Sequence, residues 1–562
     1  MILATAEQIR DYTARGIWGS ITVDDLFRTA VIAGNDRLAI ADAANKADFT
    51  TMAPLRLGWN GLADLVDRLA LRLVEAGIGR DDIVGVQLPN CVELAAVYLA
   101  AARLGFIVSP FPIQYRVHEL ADLLPFAGAR AFITARDVRK HDAAAMVVGA
   151  VPSVTTVLAW GGPSDGRIRT LDDLGEIDLD RNRLAEIVER AAVTANDILT
   201  ITWTSGTEAR PKGVPRSHNY WITAGMACAE AGELQDGAAL LNPFPMVHVG
   251  ALGGMFFPWL IKRGVLVQHQ PFDLDVFLRQ IADERIAYTV APPAVLTLLM
   301  QNEALRTRYD LSSVKSLGTG SAPLSPDVMR RYQEEQGLAI WNAFGSSEGC
   351  ALFGSRLDVP DPALRATYLP RFGAPGISFP SWASRVQETR LVDPATGRDV
   401  DRAGQSGELR LRGPFVFTGY WNNPELTRSA FDDQGFYKTG DLFELAGDEP
   451  APRYYRFIGR SKEVINRGGV KISPAEIEAL IESHPNVREA AVIGIEDARM
   501  GELVCAVIAT RDGAPLSLED IVAHLRSRDI AVYKLPERLV VLSALPRNPV
   551  GKILKRDLAG LV

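Results

Sequence analysis

Up to about residue 460, short apolar runs alternate with stretches whose apolar residues recur at helical spacing, and this limits the possible folds more than any other feature of the chain. LADLVDRLALRLVEA (62–76) carries a helical stripe, IVGVQLP (83–89) reads as a strand, and ELAAVYLAAARLG (93–105) reads as a helix stopped by glycine. Similar pairs recur at LTITW (199–203), IAYTVAPPAVLTLLM (286–300) and LAIWNAFG (338–345). Strands alternating with helices predict parallel sheets covered by helices, an α/β fold.

The last hundred or so residues read differently. Ser473-Pro474-Ala475-Glu476 predicts a capping box with proline at the first helical position, opening the helix PAEIEALIES. AAVIGI, LVCAVIAT, a helix from about Leu518 to Arg526, and RLVVLS follow, the outline of a small α+β domain. The expected organisation is a large N-terminal body of sheets flanked by helices, residues 1–459, and a small C-terminal domain, residues 460–562. Between them, the charged, glycine-bearing IGRSKEVINRGG (458–469) reads as a hinge.

Composition narrows the function classes. Hydrophobic residues at 47% and charged residues at 23% exclude a disordered, collagen-like or coiled-coil chain. Lys and Arg number 60 against 68 Asp and Glu, a net charge of −8, so nothing favours a nucleic-acid partner. Cys91, Cys228, Cys350 and Cys505 lie more than a hundred residues apart, which predicts no disulfide framework and a reducing cytoplasmic setting. The seven histidines show no i, i+4 zinc spacing. The charged N-terminal stretch and the lack of any apolar run of ~18 residues predict neither export nor membrane insertion.

Thr204-Ser205-Gly206-Thr207-Glu208-Ala209-Arg210-Pro211-Lys212-Gly213 directly follows an apolar strand. Hydroxyls, glycines and Lys212 in such a place suit phosphate oxygens, although composition alone equally fits a polar surface loop. The nucleoside-triphosphatase form GxxxxGK[ST] is not met. Five further segments follow in order: Gly320-Ser321-Ala322-Pro323, Asn342-Ala343-Phe344-Gly345-Ser346-Ser347-Glu348, Tyr437-Lys438-Thr439-Gly440-Asp441-Leu442, Gly459-Arg460-Ser461-Lys462, and Pro546-Arg547-Asn548-Pro549-Val550-Gly551-Lys552. Together the six resemble the signature motifs of the acyl-adenylate-forming superfamily, which includes acyl-CoA and aryl-CoA ligases, carrier-protein-loading domains and luciferases.

That resemblance implies an ATP-dependent acid–CoA ligase: a carboxylic acid and ATP give acyl-AMP and pyrophosphate, and a thiol then takes the acyl group. It implies ATP, Mg2+ and coenzyme A as cofactors and substrates. Thr204, Ser205, Gly206, Thr207 and Lys212 would hold the β- and γ-phosphates, and Glu348, with Thr207, the Mg2+. Phe344 would lie against adenine, with Gly320, Ser321, Asn342, Gly345 and Ser347 around the nucleotide. Asp441 and Arg460 would meet the ribose. Lys552 matches the family's catalytic lysine, a compact ammonium between carboxylate and α-phosphate. Lys462 matches the hinge around which the mobile small domain turns, and Gly468 and Gly469, after Arg467, match the pantetheine passage. The family loop reads Thr-Ser-Gly-Thr-Thr-Gly, so Glu208 and Ala209 depart from it, and Ser347 stands where threonine is usual.

Pro245-Met246-Val247-His248-Val249-Gly250 resembles the segment beside the substrate carboxylate, where His248 would be a catalytic and orienting residue. Val249, Gly250 and Gly254, with the neighbouring apolar residues, suggest a roomy, mostly apolar pocket. Arg216-Ser217-His218-Asn219 and RDYTARGIWGSITVDDLF near the N-terminus resemble siderophore-type aryl-acid adenylating enzymes. Those carry asparagine where this chain has Val249, so a phenolic hydroxyl would go unpartnered at a cost of ~1–3 kcal/mol. An aromatic or alicyclic acid without that hydroxyl is expected, with a medium-chain fatty acid next. The acceptor is free CoA or, alternatively, a separate carrier protein loaded by an aryl-acid AMP ligase; a homodimer is left open. Two other readings compete. Gly345-Ser346-Ser347-Glu348-Gly349 formally matches the GxSxG elbow of serine hydrolases, with His484 and His524 downstream. A protein that binds adenylate without turnover is the other, and retention of Lys552, Glu348 and Asp441 speaks against it.

Overall fold

The computed structural model describes residues 1–204, 211–320, 324–468, 470–497, 499–511, 513–528, 530–548 and 553–561. Two parallel-rich sheets make the large body. One has eight strands, six of them parallel (Leu38–Ala41, Val265–Gln268, Ala239–Asn242, Tyr288–Val290, Ser316–Gly320 and Ala339–Gly345), with Arg56–Gly58 and Cys350–Gly354 antiparallel at its edges. The other has seven, with Ile83–Gln87, Ile107–Pro110 and Ile198–Trp203 at its centre and Gly213–Ser217 as an antiparallel edge.

The helix Val92–Leu104 is apolar nearly all round and every one of its residues is buried, as such a pattern requires. Gly105 ends it at φ +78°, and a Cβ there would lie 2.8 Å from Val193, so glycine serves both the left-handed turn and the close packing. The helix's two charges are paired. Lys46 Nζ reaches Asp42 at 2.7 Å and Glu93 at 2.7 Å, and Arg103 meets Asp24 at 2.9 Å and also Asp67. Leaving one partner alone would cost several kcal/mol, ~3–5 for a buried pair.

The region 368–460 departs from the expected parallel pattern. It folds as a five-stranded antiparallel sheet in which Tyr454–Arg460 and Ser406–Arg412 flank Tyr437–Ala446. The reason is visible in Ser406–Arg412, whose alternate residues are buried and exposed: one face meets the core and the other solvent, which an antiparallel sheet permits.

The small domain has its own core, built on Ile465, Ile472, Ile477, Ile481, Val504, Ile508, Ile521 and Leu525. The expected elements are present as Pro474–Glu482, Val487–Asp497, Gly501–Thr510, Leu518–Arg526 and Arg538–Leu542. Two details differ. Residues 458–469 are not one long loop: Arg460 ends a strand of the antiparallel sheet, and after a turn Ile465–Arg467 is already a strand of the small domain. The capping box is half formed, because Ser473 Oγ accepts from Glu476 N at 3.4 Å while the Glu476 carboxylate is held by Lys534 at 2.7 and 2.8 Å. The Ser473 hydroxyl also donates to Ile458 O, tying the helix to the last strand of the body. Among the described residues no helix is long and apolar enough to cross a membrane.

Candidate functional site

Parallel strands deliver their carboxyl ends to one edge of a sheet, where loops gather polar groups. Thr204 follows Ile198–Trp203 there and pairs with Lys212: Thr204 N donates to Lys212 O at 3.0 Å, and Lys212 N to Thr204 Oγ1 at 3.1 Å. This pair is the stem of the glycine-bearing loop, and Ser205, Gly206, Thr207 and Glu208 lie outside the described residues.

Glu348 is buried at 9% exposure, and the Tyr420 hydroxyl donates to its Oε1 at 2.9 Å. The Lys212 ammonium sits 5.4 Å from the centre of the Tyr420 ring. Tyr420 therefore joins the loop stem to the acid. Its neighbours reinforce the link: Phe417 N donates to Glu348 O at 2.8 Å, and Trp421 N to Gly213 O at 2.9 Å. The Tyr437 hydroxyl is hydrogen-bonded to Tyr420, and burial followed by the Glu348 carboxylate pushes both phenols up, so they stay neutral donors. Arg216 holds the carbonyl of Ser347. Sequence reasoning missed Tyr420; in TGYWNNPELT it is an aromatic among turn residues, and only the pairing of distant segments brings it to Glu348.

The donor set fits Mg2+. Glu348 offers a hard, partly shielded carboxylate beside a lysine at the loop stem, and among the described residues no group of three His, Cys, Asp or Glu converges to make a closed cage. Magnesium suits such a site, keeping waters and bridging phosphates. The second expected ligand, Thr207, lies outside the described residues.

Gly320 and Ala343 face each other across paired parallel strands, and a Cβ on Gly320 would lie 2.8 Å from Ala343 O. Asn342 and Gly345 lie on the same strand as Phe344, whose ring contacts Phe443 at 4.9 Å and Phe457 at 6.1 Å. Asp441 and Arg460 are cross-strand partners, Oδ1 to Nε 3.6 Å, with Asp441 largely buried and Arg460 at the strand's end. The antiparallel sheet thus brings Asp441 and Arg460 together, and through Phe443 and Phe457 it meets Phe344. Ser321 lies outside the described residues.

On the small domain, Lys462 is exposed in the turn after Arg460. Gly468 has φ +59°, and a Cβ there would lie 2.8 Å from Met500 Cε. Gly469 and Lys552 lie outside the described residues; on either side of Lys552, Arg547 and Ile553 form an antiparallel bridge, and Leu554 N donates to Pro546 O at 2.9 Å.

His248 follows the strand Ala239–Asn242 and caps a short helix, its Nδ1 accepting from Gly250 N at 3.1 Å. That bond leaves the proton on Nε2. Desolvation pushes the imidazole down to about 4, so the ring is neutral near pH 7 although part of its edge stays open. A Cβ on Gly250 would lie 3.1 Å from His248 Cε1, which makes glycine the residue that lets the ring fold back. Val249 opens the helix, and residues 252–256 widen into a π-helix. Within it Gly254 borders open space: a Cβ there would meet no atom within 4 Å.

Two sequence expectations are corrected or explained here. A nucleophile elbow needs a strand turning into a helix; after Gly345 the chain instead turns back into the antiparallel strand Cys350–Gly354, and His484 and His524 meet edge to face in the small domain. The hydrolase reading is therefore set aside. The Arg216–Asn219 run and the N-terminal segment prove to be contact partners: Asn219 exchanges two hydrogen bonds with Gly19, at 3.0 and 3.1 Å, and His218 Nδ1 accepts from Val23 N at 3.1 Å.

The Lys212–Tyr420–Glu348 link between two parallel-rich sheets, the Asp441–Arg460 pair on an antiparallel sheet and a separate small domain agree with an adenylate-forming enzyme. The chain belongs to the AMP-binding enzyme family: residues 35–421 match the AMP-binding enzyme model and residues 476–552 the AMP-binding enzyme C-terminal domain. It is 31% identical to the 2-hydroxy-7-methoxy-5-methyl-1-naphthoate–CoA ligase of Streptomyces carzinostaticus, over 97% of this chain and 94% of that protein. With the 2,3-dihydroxybenzoate-AMP ligase of Bacillus subtilis it shares 30% identity, over 98% and 96%. Its fold matches ATP-bound MatB from Rhodopseudomonas palustris with a TM-score of 0.75 and 26% identity, over 96% of this chain and 99% of that one. The protein is an AMP-forming ligase that activates a carboxylic acid with ATP and Mg2+.

Proposed function

We propose that the chain is an acid–CoA ligase acting on an aromatic or alicyclic acid, with the large body, residues 1–459, as the site of adenylation and residues 460–562 as a mobile lid. The observation that carries this reading is that Tyr420 links Lys212, at the stem of a loop on the seven-stranded sheet, to Glu348, after the strand Ala339–Gly345 of the eight-stranded sheet that carries Phe344, with the Asp441–Arg460 pair on the antiparallel sheet. In it Lys212 and the 204–207 hydroxyls and amides hold the β- and γ-phosphates. Mg2+, when bound, neutralises phosphate charge and orients the leaving pyrophosphate. Glu348 would be its protein ligand with Thr207, and Tyr420 fixes the Glu348 carboxylate by donating to one of its oxygens. Asp441 accepts from both ribose hydroxyls, and Arg460, its cross-strand partner at 3.6 Å, holds the carboxylate in place.

His248 donates Nε2–H to the acid's carboxylate and steers one oxygen to the α-phosphorus. Two anions meet in that step, so Lys552 is the cation that offsets their repulsion. Rotation about Lys462 then removes the lysine, and Gly468 and Gly469 border the path of the thiol.

Val249 beside His248 supports an acid without a hydroxyl that needs an amide partner, and the open space at Gly254 supports a bulky one. A second reading, an aryl-acid AMP ligase that loads a carrier protein, is favoured by the paired N-terminal and Arg216–Asn219 segments and by the likeness to the dihydroxybenzoate-AMP ligase. ATP–pyrophosphate exchange across a panel of acids, followed by CoA addition and mass measurement, tests both. A CoA thioester mass supports the first reading; acid-dependent exchange without thioester supports the second, and no exchange with any acid overturns both.

A further inference from the structure

We infer that Asn90 is a positioning residue for the acid pocket, although it belongs to the other sheet. It lies in the turn between Ile83–Gln87 and the buried helix Val92–Leu104 and is 3% exposed. Its carboxamide donates to Phe244 O at 2.8 Å and accepts from Met246 N at 2.8 Å. Those are the two bonds a parallel strand would make to the groups flanking residue 245, and Pro245 itself has no N–H to offer. One side chain thus replaces a β-bridge. Asn90 Nδ2 also reaches His269 O at 3.4 Å, and its own N–H donates to Gln270 Oε1 at 2.6 Å.

The same turn is gripped from other directions. The buried Tyr98 hydroxyl donates to Met246 O at 2.6 Å, and Asn242 Oδ1 accepts from Phe244 N at 3.2 Å. The 244–246 turn is therefore fixed between the two large sheets, and it leads two residues later into His248, whose ring lies 6.2 Å from that of Phe244. Only an amide can donate at one end and accept at the other in this position. Aspartate would set an oxygen against Phe244 O, and alanine would leave a buried carbonyl and N–H unpaired.

The inference rests on the reading of His248 as the residue beside the substrate carboxylate. The test uses the full chain and the best acid of the exchange panel. Asn90→Ala should raise the KM for the acid tenfold or more, while KM for ATP and calorimetric ATP affinity stay within twofold. Tyr98→Phe, which removes one bond and keeps the packing, should move the acid KM in the same direction by a smaller factor, and it carries the test if Asn90→Ala does not fold. The Asn90→Ala/His248→Ala double variant should be no worse than the poorer single one. Acid and ATP constants that worsen together, or fully multiplicative single effects, would overturn the proposal. If His248→Ala alone leaves the acid KM unchanged, the reading of His248 fails instead, and coupling of Asn90→Ala to Phe244→Ala decides whether Asn90 sets the pocket.

Discussion

On the ATP side, Gly320 faces Ala343 and Asp441 faces Arg460 across paired strands, so backbone ladders fix each position. On the acid side, His248 and Val249 follow a turn held by side-chain amides and run into a π-helix. A ladder cannot be adjusted by degrees, because a slip of one residue sends every side chain to the opposite face. A turn held by a few side chains can shift by tenths of an ångström. In the proposed reading, Gly320, Asp441 and Arg460 of the nucleotide site thus sit on register-locked backbone, and the acid is met by groups that substitution can move without disturbing those three.

This contrast can be tested from both sides. The largest effect should come from Lys552→Ala, which belongs to neither region. Acyl-AMP formation should fall ~10²–10³-fold, as for loss of one group that meets developing charge, while ATP and acid binding by calorimetry and thioester formation from supplied acyl-AMP stay within a few-fold. A loss of ATP binding would place the lysine on the ATP side.

Tyr420→Phe should act on the ATP side alone. Losing one hydrogen bond to a carboxylate costs ~1.5–3 kcal/mol, so the Mg2+ concentration for half-maximal exchange and the KM for ATP should rise about tenfold or more. An equal rise in acid KM would mean that the two sides are not separable.

Gly250→Ala is the mirror test. Its methyl would press on His248 Cε1 at 3.1 Å, so the acid KM should rise several-fold and the ATP KM should hold. A proportional change in both would break the contrast.

The smallest effect is on pH. His248 is neutral above about pH 4, so acid KM should show no histidine titration between pH 5.5 and 8. His218, buried and also pushed down to about 4, titrates only in the unfolded chain between that value and ~6.5. The unfolded state then binds the extra proton, so stability is full above ~6.5 and falls as pH drops toward 4, by a few kcal/mol. His218→Gln should make that slope shallower in melting experiments, with His248 keeping its own share, and an unchanged slope would refute the assignment.

Much of the fold was legible because its segments signal locally. The run 83–105 shows strand, helix and glycine stop within itself, and the helix expected from about Leu518 to Arg526 is present as Leu518–Arg526. The antiparallel sheet was not legible, since Ser406–Arg412 displays its alternation but not its partners. Tyr420 and Asn90 were invisible for the same reason: each acts on a segment more than seventy residues away, and neither residue type signals this in a turn. Glu476 shows the converse, a local rule overridden when Lys534 offered a charged partner.

The π-helix at Leu252–Phe256 carries a length as well as a shape. A π turn holds one residue more than the α turn it interrupts, so removing one glycine there would narrow the wide turn to α geometry with the two flanks nearly in phase, whereas the same deletion in continuous α-helix would swing one flank by about 100° relative to the other. His248 and Val249 lie on one flank, and Phe257–Lys262 on the other. Pocket shape at this place is therefore open to change in discrete steps, by insertion or deletion of a single codon, and a library of one-residue deletions across 252–256 would sample pockets that no point substitution reaches.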